Sequence, residues 1–525
     1  MGYRTIRGIC WAATVTVAAT VLAGCGGGAA LSPQGSAASG SELDPNAVLR
    51  ITSNAPTRNL DPYLQASSGG WSYLTPVFDR LTMVDAQGNL IPGLAESWTF
   101  GPDGSYLELK LRGDVTFHDG TPFDAAAVEA NIQRGQTMEG STVVAALKNI
   151  TNVEVVDDHT VRLQLASGTG VELPGVFSSN AGMMVSPKAI ETGADLRNNP
   201  GQSGSGAYVV ASYVPEESVT LARAEGTNWD PEAGKVAGME FTWIPDATTR
   251  LNGLKTGETD LTWMSSANEV TEVKAMASRG AMSLIEVPYR NVFGVFIRPQ
   301  GDLAKPEVRQ AVASAIDPEA ISQMFSGTCM PQRQIYPPGS WPADDEYEYP
   351  YTFDLEKAKS LVQSVGGAKV TLTFAAGAST EKPANVLQSA LSQAGIDAEL
   401  NPVPITQSEP RYIAGDFQSI VSNSFSPKVD PAETVSAFVT GPYDFGNGNQ
   451  QIKELAAQAA DPTLSQEERA PIYNQIWDLT LKEAMFVPIC NQTNATVSTA
   501  KVTGTEDMPW VNLGIFDVRH VGMTK

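Results

Sequence analysis

Histidine is nearly absent from this sequence: His118, His159 and His520 are the three in 525 residues. None has a second His or a Cys at ligand spacing, which argues against a zinc site and leaves nickel without support. No phosphate-cradling or dinucleotide glycine fingerprint occurs. The nearest approach to a nucleophile elbow, Gly201-Gln202-Ser203-Gly204-Ser205, breaks the pattern at its last position. Basic residues are few, 35 against 58 acidic ones. That balance excludes the electrostatic footprint of a nucleic-acid binder and disfavours a basic patch for anionic lipid. Carboxylates are abundant, so residue type alone leaves an acid pair for glycoside hydrolysis open. Abundant Asp and Glu ordinarily form a solvated surface, however, and no convergent constellation accompanies them. The expectation is a binder rather than an enzyme, with no cofactor and no metal.

Long apolar runs are also lacking, with one exception at the start. Arg4 and Arg7 precede a mostly apolar stretch from Ile9 to Leu22 that is too short to span a bilayer. It reads as a secretory signal over residues 1–24. The stretch ends Leu22-Ala23-Gly24-Cys25, which resembles the lipobox of bacterial lipoproteins, with Cys25 as the lipidated first residue. Residues 25–42, rich in Gly, Ala and Ser, then form a flexible tether. Without residues 1–24 the chain keeps 33 basic residues against 58 acidic, a net charge of −25. Localisation is therefore expected to be extracytoplasmic, lipid-anchored to the outer face of the cell membrane. Of the four cysteines, Cys10 leaves with the signal and Cys25 carries the lipid. Cys329 and Cys490 remain, either a disulfide, which an oxidising compartment favours, or two separate buried thiols.

What is present is an interleaving of the two periods. Leu107/Leu109/Leu111, Val161/Leu163/Leu165, Met239/Phe241/Trp243, Phe293/Val295/Ile297 and Val370/Leu372/Phe374 alternate as strands do. Val308, Ala311, Val312 and Ala315 follow helical spacing, and Asp317-Pro318 and Asp354 mark the starts of further helices. Ala358, Leu361, Val362 and Val365 form the buried face of the helix after Asp354, which Gly366-Gly367 closes; Ile472, Ile476 and Leu479 mark a later one. Asp103-Gly104 reads as a hairpin turn, and Asp124 as the cap of a helix carrying Val128 and Ile132. The fold class is α/β, with a smaller β-rich subdomain and no Pro/Gly linker between compact parts.

Several segments together carry a specific resemblance. Leu94-Ala-Glu-Ser-Trp98, Pro102-Asp-Gly-Ser-Tyr106 and Leu111-Arg-Gly-Asp-Val-Thr-Phe-His-Asp-Gly-Thr-Pro-Phe123 come first. Leu60-Asp61-Pro62, Val185-Ser-Pro-Lys188, Gly204-Ser-Gly-Ala-Tyr208, Leu254-Lys-Thr-Gly-Glu-Thr-Asp260, Val308-Arg-Gln-Ala-Val312, Ala394-Gly-Ile396 and Asp430-Pro431 take their places in order. The set resembles extracellular solute-binding protein family 5, the peptide-, nickel- and oligosaccharide-binding components of ABC importers. The resemblance implies a type II periplasmic-binding-protein fold: two lobes, a central cleft, and an extra subdomain on lobe one. Lobe one would comprise 43–90, 205–290 and 496–525, the subdomain 91–204, and lobe two 291–495, with crossings near 285–295 and 490–500.

The function so implied is capture of an extracellular solute, an oligopeptide or peptide-like compound, by hinge closure. Its partners are that solute, an ABC permease with its ATPase subunits, and the membrane through the lipid anchor; the chain is expected to act as a monomer, without nucleic acid. A peptide-sensing receptor, or a surface chaperone or adhesin without transport, would suit the same fold. Matching the family's cleft-lining loops nominates Ser68, Gly69, Trp71 and Tyr73 in lobe one, and Asn423, Ser424, Phe425 and Asp430 in lobe two. Trp71 is an aromatic platform or a core residue; Asp430 before Pro431 reads as a helix cap in preference to a ligand group. Two departures weigh against a free dipeptide. The stretch Ser424–Val429 holds Lys428 but no acid, and Ala375–Thr380 is small and neutral with only Lys382 nearby.

Overall fold

Local patterning builds a chain that crosses between two lobes twice. The computed structural model describes residues 42–525 except 55, 57, 66–67, 265–266, 326–328, 337, 377–379, 510 and 512–515. Cys25 and the tether up to residue 41 lie outside the described residues. Strand β1 (Val48–Ser53) opens lobe one, followed by the hairpin β2 (Thr82–Val84) and β3 (Leu90–Pro92). Next come β4 (Ala95–Phe100), β5 (Tyr106–Leu111), β6 (Ile150–Asp157) and β7 (Thr160–Leu165). These four form a separate antiparallel sheet in the order β4-β5-β7-β6. Its alternation is physical: Leu107, Leu109, Val161 and Leu163 are fully buried, while Glu108 and Arg162 pair on the other face at 2.8 Å. Gly104 turns the first hairpin at φ +68°, where a side chain would be strained. Asp124 caps the helix Ala125–Thr137 by accepting from the Ala127 N–H at 2.8 Å, and that helix covers the sheet's inner face.

The chain then returns through β8 (Tyr208–Val214), β9 (Ser218–Arg223), β10 (Gly238–Trp243) and β11 (Leu261–Met264). The long β12 (Met282–Ile297) leads onward to β13 (Cys329–Pro331), β14 (Ala368–Ala375), β15 (Ile396–Val403) and β16 (Ser419–Phe425). A second long strand, β17 (Phe486–Thr499), closes the circuit. One sheet unites them in the order β15-β14-β16-β12-β17-β11-β1-β10-β9-β8, with β13 beside β17.

Separate cores form on the two sheets. Leu49, Ile51, Phe78, Tyr208 and Phe241 anchor that of lobe one, Phe293, Phe296, Phe425 and Phe486 that of lobe two, and Leu109, Phe117 and Ile132 that of the subdomain. The architecture is the α/β two-lobe type II binding-protein fold with an extra subdomain.

Buried charge ties the C-terminal segment into lobe one. The Arg519 guanidinium donates to Asp517 and Asp79, each at 2.7 Å, and to the Thr75 carbonyl at 2.7 Å. Arg80 reaches Asp517 at 2.5 Å and the Ser178 carbonyl at 2.8 Å. Burial alone would raise the Asp517 carboxyl, but Arg519 and Arg80 beside it hold it below the usual carboxylate range. The Gly204–Tyr208 segment has a backbone reason for its glycines. It lies against Pro76 and Val77 so closely that a Cβ at either Gly204 or Gly206 would collide with a carbonyl oxygen. His118 secures the same junction: its Nε2 lies 2.8 Å from the Gly206 carbonyl, and burial lowers its pKa. Cys329 and Cys490 are joined as a disulfide, their Cα atoms 5.3 Å apart, which fastens β13 to β17.

Candidate functional site

Strand direction decides where a cleft must lie. The first half of β17 pairs with β12 beside β16, and its second half, Ala495–Ser498, pairs with β11. It therefore runs from lobe two into lobe one. β11 is antiparallel to β17 and its last residue, Met264, meets Ala495, so β11 and its parallel neighbour β1 end toward lobe two. β16 is antiparallel to β12, and its last residue, Phe425, meets Val292, so β16 and the parallel β14 end toward lobe one. The carboxyl edges of both lobes thus face each other across the two long strands. Open α/β sheets bind ligands at such edges. The pairing of β12 with β17 loses its register between Val287 and Asn291, right at the crossing.

The lobe-two wall is shaped by an extra residue. Between Gly294 and Val292 on β12 the chain advances two positions, while β16 advances three, from Ser422 to Phe425. This bulge re-aims the side chains at Asn423 and Ser424, which are half-buried. Asn423 donates to the Gln492 side-chain carbonyl on β17 at 2.9 Å. The Ser424 N–H donates to Ser422 Oγ at 3.1 Å, and Ser422 Oγ in turn lies 2.7 Å from Glu409 Oε1. Tyr443 donates to the other carboxylate oxygen of Glu409 at 2.6 Å. Burial and the adjacent Glu409 raise the Tyr443 pKa, so its hydroxyl stays protonated and remains a donor.

Phe425, nominated from sequence as a ligand contact, instead faces the core. It is fully buried, 4.5 Å from the Phe438 ring and 4.9 Å from Phe486. The bulge turns it inward. Asp430 is likewise taken up by the fold. It caps the helix Pro431–Thr434 and forms a two-pronged pair with Arg469 at 2.9 and 2.6 Å.

On the lobe-one side, Ser68–Gly70 forms a single 3-10 turn leading into Trp71–Leu74. Tyr73 is a correction to the nominated set: it is 2% exposed, its hydroxyl meets Gln65 at 2.6 Å, and its ring packs edge-on to Phe241. Trp71 is half-buried and donates its indole N–H to the Gln65 carbonyl at 3.2 Å. Gly69 accepts from Ser72 Oγ at 2.9 Å. Of the eight nominated residues, Trp71, Gly69, Asn423 and Ser424 keep partly exposed positions. Glu409, Tyr443 and Gln492, which the sequence did not nominate, bond to the lobe-two wall from three other segments and carry no local signature of a shared position.

The subdomain also touches lobe two. A Cβ at Gly175 would sit 3.3 Å from Val429 Cβ, and one at Gly104 would sit 2.7 Å from Pro462 Cγ. Glu172 and Glu433 flank the first contact. Burial pushes both carboxyls up, reinforced at Glu433 by Glu172 and Asp430 and opposed there by Lys428. Among the described residues, no three His, Cys, Asp or Glu side chains group to hold a metal ion. No helix among them is long and apolar enough to cross a membrane.

Residues 89–445 match the bacterial extracellular solute-binding proteins, family 5 (middle region). The chain belongs to this family. This family-5 protein is thus an extracellular solute-binding protein. It is 26% identical over 483 residues to the glutathione-binding protein GsiB of Escherichia coli, across 88% of this chain and 92% of that one. Among solved structures, DppA of Helicobacter pylori, in complex with the peptide STSA, superposes with a TM-score of 0.76 at 20% identity, over 91% of this chain and 98% of that one. NikA of Brucella suis, in complex with Fe(III)-EDTA, gives a TM-score of 0.76 at 22% identity, over 87% and 97%. The two structures share the fold of this chain while holding unrelated ligands.

Proposed function

We propose that this family-5 protein is a lipoprotein, held at the outer face of the cell membrane by a lipid on Cys25, that closes two lobes over an oligopeptide or peptide-like compound and delivers it to the permease of an ABC importer. The observation that carries the reading is the pair of facing carboxyl edges joined by two strands whose register fails at the crossing. Interrupted pairing gives β12 and β17 a place to bend, and closure is favoured only by contacts the solute makes in the closed state. The residues offered to the solute are Ser68, Gly69 and Trp71 from lobe one and Asn423 and Ser424 from lobe two. Side-chain amides at Asn423 and Gln492 supply both donors and acceptors, as peptide groups require. Similarity to a glutathione-binding protein supports a peptide-like solute. A lipid on Cys25, followed by a flexible leash, would keep the captured solute near its permease at raised effective concentration.

The decisive experiment is mass spectrometry of what co-purifies with the protein after gentle denaturation, followed by re-addition of the compound found. A peptide-like compound that raises Tm on re-addition supports the reading. A sugar or metal chelate behaving that way would overturn its peptide part. For the anchor, Cys25→Ala is expected to release the protein from membranes with solute binding intact; membrane retention of that variant would sink the tether.

A further inference from the structure

Resting on the two-lobe closure read above, we propose that the Cys329–Cys490 disulfide is a hinge stop, which keeps bending out of the lobe-two half of β17 and confines it to the crossing. Two strands share one edge of β17. β13 lies along Cys490–Gln492, and β11 lies along Ala495–Ser498. Residues 493 and 494 fall between them, with no strand partner on that edge among the described residues. On the opposite edge, β12 loses register with β17 between Val287 and Asn291. Pro288 lies in that break and has no N–H to give to a ladder. Pairing therefore fails on both edges at the same height, and a few residues there can absorb the backbone rotation that closure needs.

By itself β13 would be a poor clamp. It has three residues, and its last, Pro331, donates nothing to a ladder. The chain just after it adds polar ties. Asn491 donates to the Gln332 side chain, and Arg333 donates to the Pro488 carbonyl at 2.8 Å and the Ile316 carbonyl at 2.9 Å. The disulfide makes the attachment permanent at Cys490. So clamped, β17 stays paired on both edges through Gln492, whose side-chain carbonyl accepts from Asn423 at 2.9 Å. Without the bond, β13 is held by non-covalent contacts alone and can open locally. The bend then spreads from the crossing into Cys490–Gln492, and the lobe-two wall loosens with it.

The test compares the signal-processed protein with its Cys329→Ala, Cys490→Ala double variant by residue-resolved hydrogen exchange, without solute and well below either unfolding midpoint. Exchange at 490–492 should be roughly tenfold faster or more in the variant, with β14 and β1 unchanged. Unchanged exchange at 490–492 overturns the stop, because β13 then holds without the bond. Equal acceleration through β14 also overturns it, because the bond then stabilises lobe two as a whole. Should the variant fail to fold, the wild-type protein decides by itself: 490–492 should exchange roughly tenfold slower than 493 and 494, and equal rates overturn the stop. Hinge motion is read separately from nitroxides on Glu232→Cys in lobe one and Glu356→Cys in lobe two, whose side chains are 69% and 84% exposed. The distribution of distances between them should be broader in the double variant; equal widths overturn the stop. If a synthetic pool of di- to pentapeptides still shifts that distance, closure stands without the stop. A single distance in both proteins that the pool does not move overturns closure as well.

Discussion

Asp430 is claimed by the fold at both ends of its carboxylate. One oxygen accepts from the Ala432 N–H at 2.8 Å, and both face Arg469, which is 3% exposed. Asp430→Ala would leave that guanidinium buried without its partner. The expected cost is about 3–5 kcal/mol, measured by urea unfolding. Phe425→Ala should cost about 3–5 kcal/mol for a different reason, an aromatic-sized void in the lobe-two core. Neither variant should change solute affinity in the folded fraction; a selective loss of affinity at unchanged stability would return that residue to the binding site. Asp517 titrates in the opposite sense to most buried acids. Its pKa is depressed in the folded protein, so its stabilisation is present above the unfolded value of about 3.9 and is lost as pH falls through the folded one. The unfolding free energy should therefore drop steeply below about pH 4, and Asp517→Asn should flatten that slope.

Secondary-structure elements were legible where their signals are local. Asp124, Asp317 and Asp354 each cap the helix that follows, because a cap needs only a short side chain and an N–H two or three residues on. The alternations at Leu107 and Val161 became β5 and β7 for the same reason: burial of one face shows directly in the period. The bulge at Asn423–Ser424 was not legible. It exists only in the pairing of β16 with β12, where β12 advances two positions while β16 advances three. The Cys329–Cys490 bond is also a matter of pairing, since β13 must lie beside β17. It closes a loop of 161 residues, for which the chain-entropy estimate is about 5 kcal/mol of stabilisation. Reduction, or a double Cys-to-Ser change, should lower the unfolding midpoint markedly; an unchanged midpoint would show that the bond constrains nothing the fold does not already hold.

For the molecule as a whole, the proposed closure would be linked to pH through the contact between subdomain and lobe two. Burial raises the carboxyls of Glu172 and Glu433, with Asp430 adding to both, Lys428 opposing at Glu433, and Asn149 and Arg469 opposing at Glu172. Parting the lobes would return both groups toward the ordinary range of about 4.3. The closed form should therefore take up protons, and its penalty should ease as pH falls from neutral toward that range. Solute affinity is expected to be higher at pH 5.5 than at pH 7.5 in titration calorimetry. Glu433→Gln should flatten the dependence; the reverse trend would mean that the contact plays no part in closure.

By itself the sequence determined the family and the local elements: an acidic composition, the family motifs, the helix caps and the strand periods. Each of these rests on residues close together in the chain or on overall composition. Only the tertiary structure decided which nominated residues are buried in the cores and which stay partly exposed. Tyr73, Phe425 and Asp430 are consumed by packing and ion pairing, while Glu409, Tyr443 and Gln492 arrive from distant segments. The physical reason is that a cleft lies between two sheet edges, and sheet edges are assembled by strand pairing across hundreds of residues.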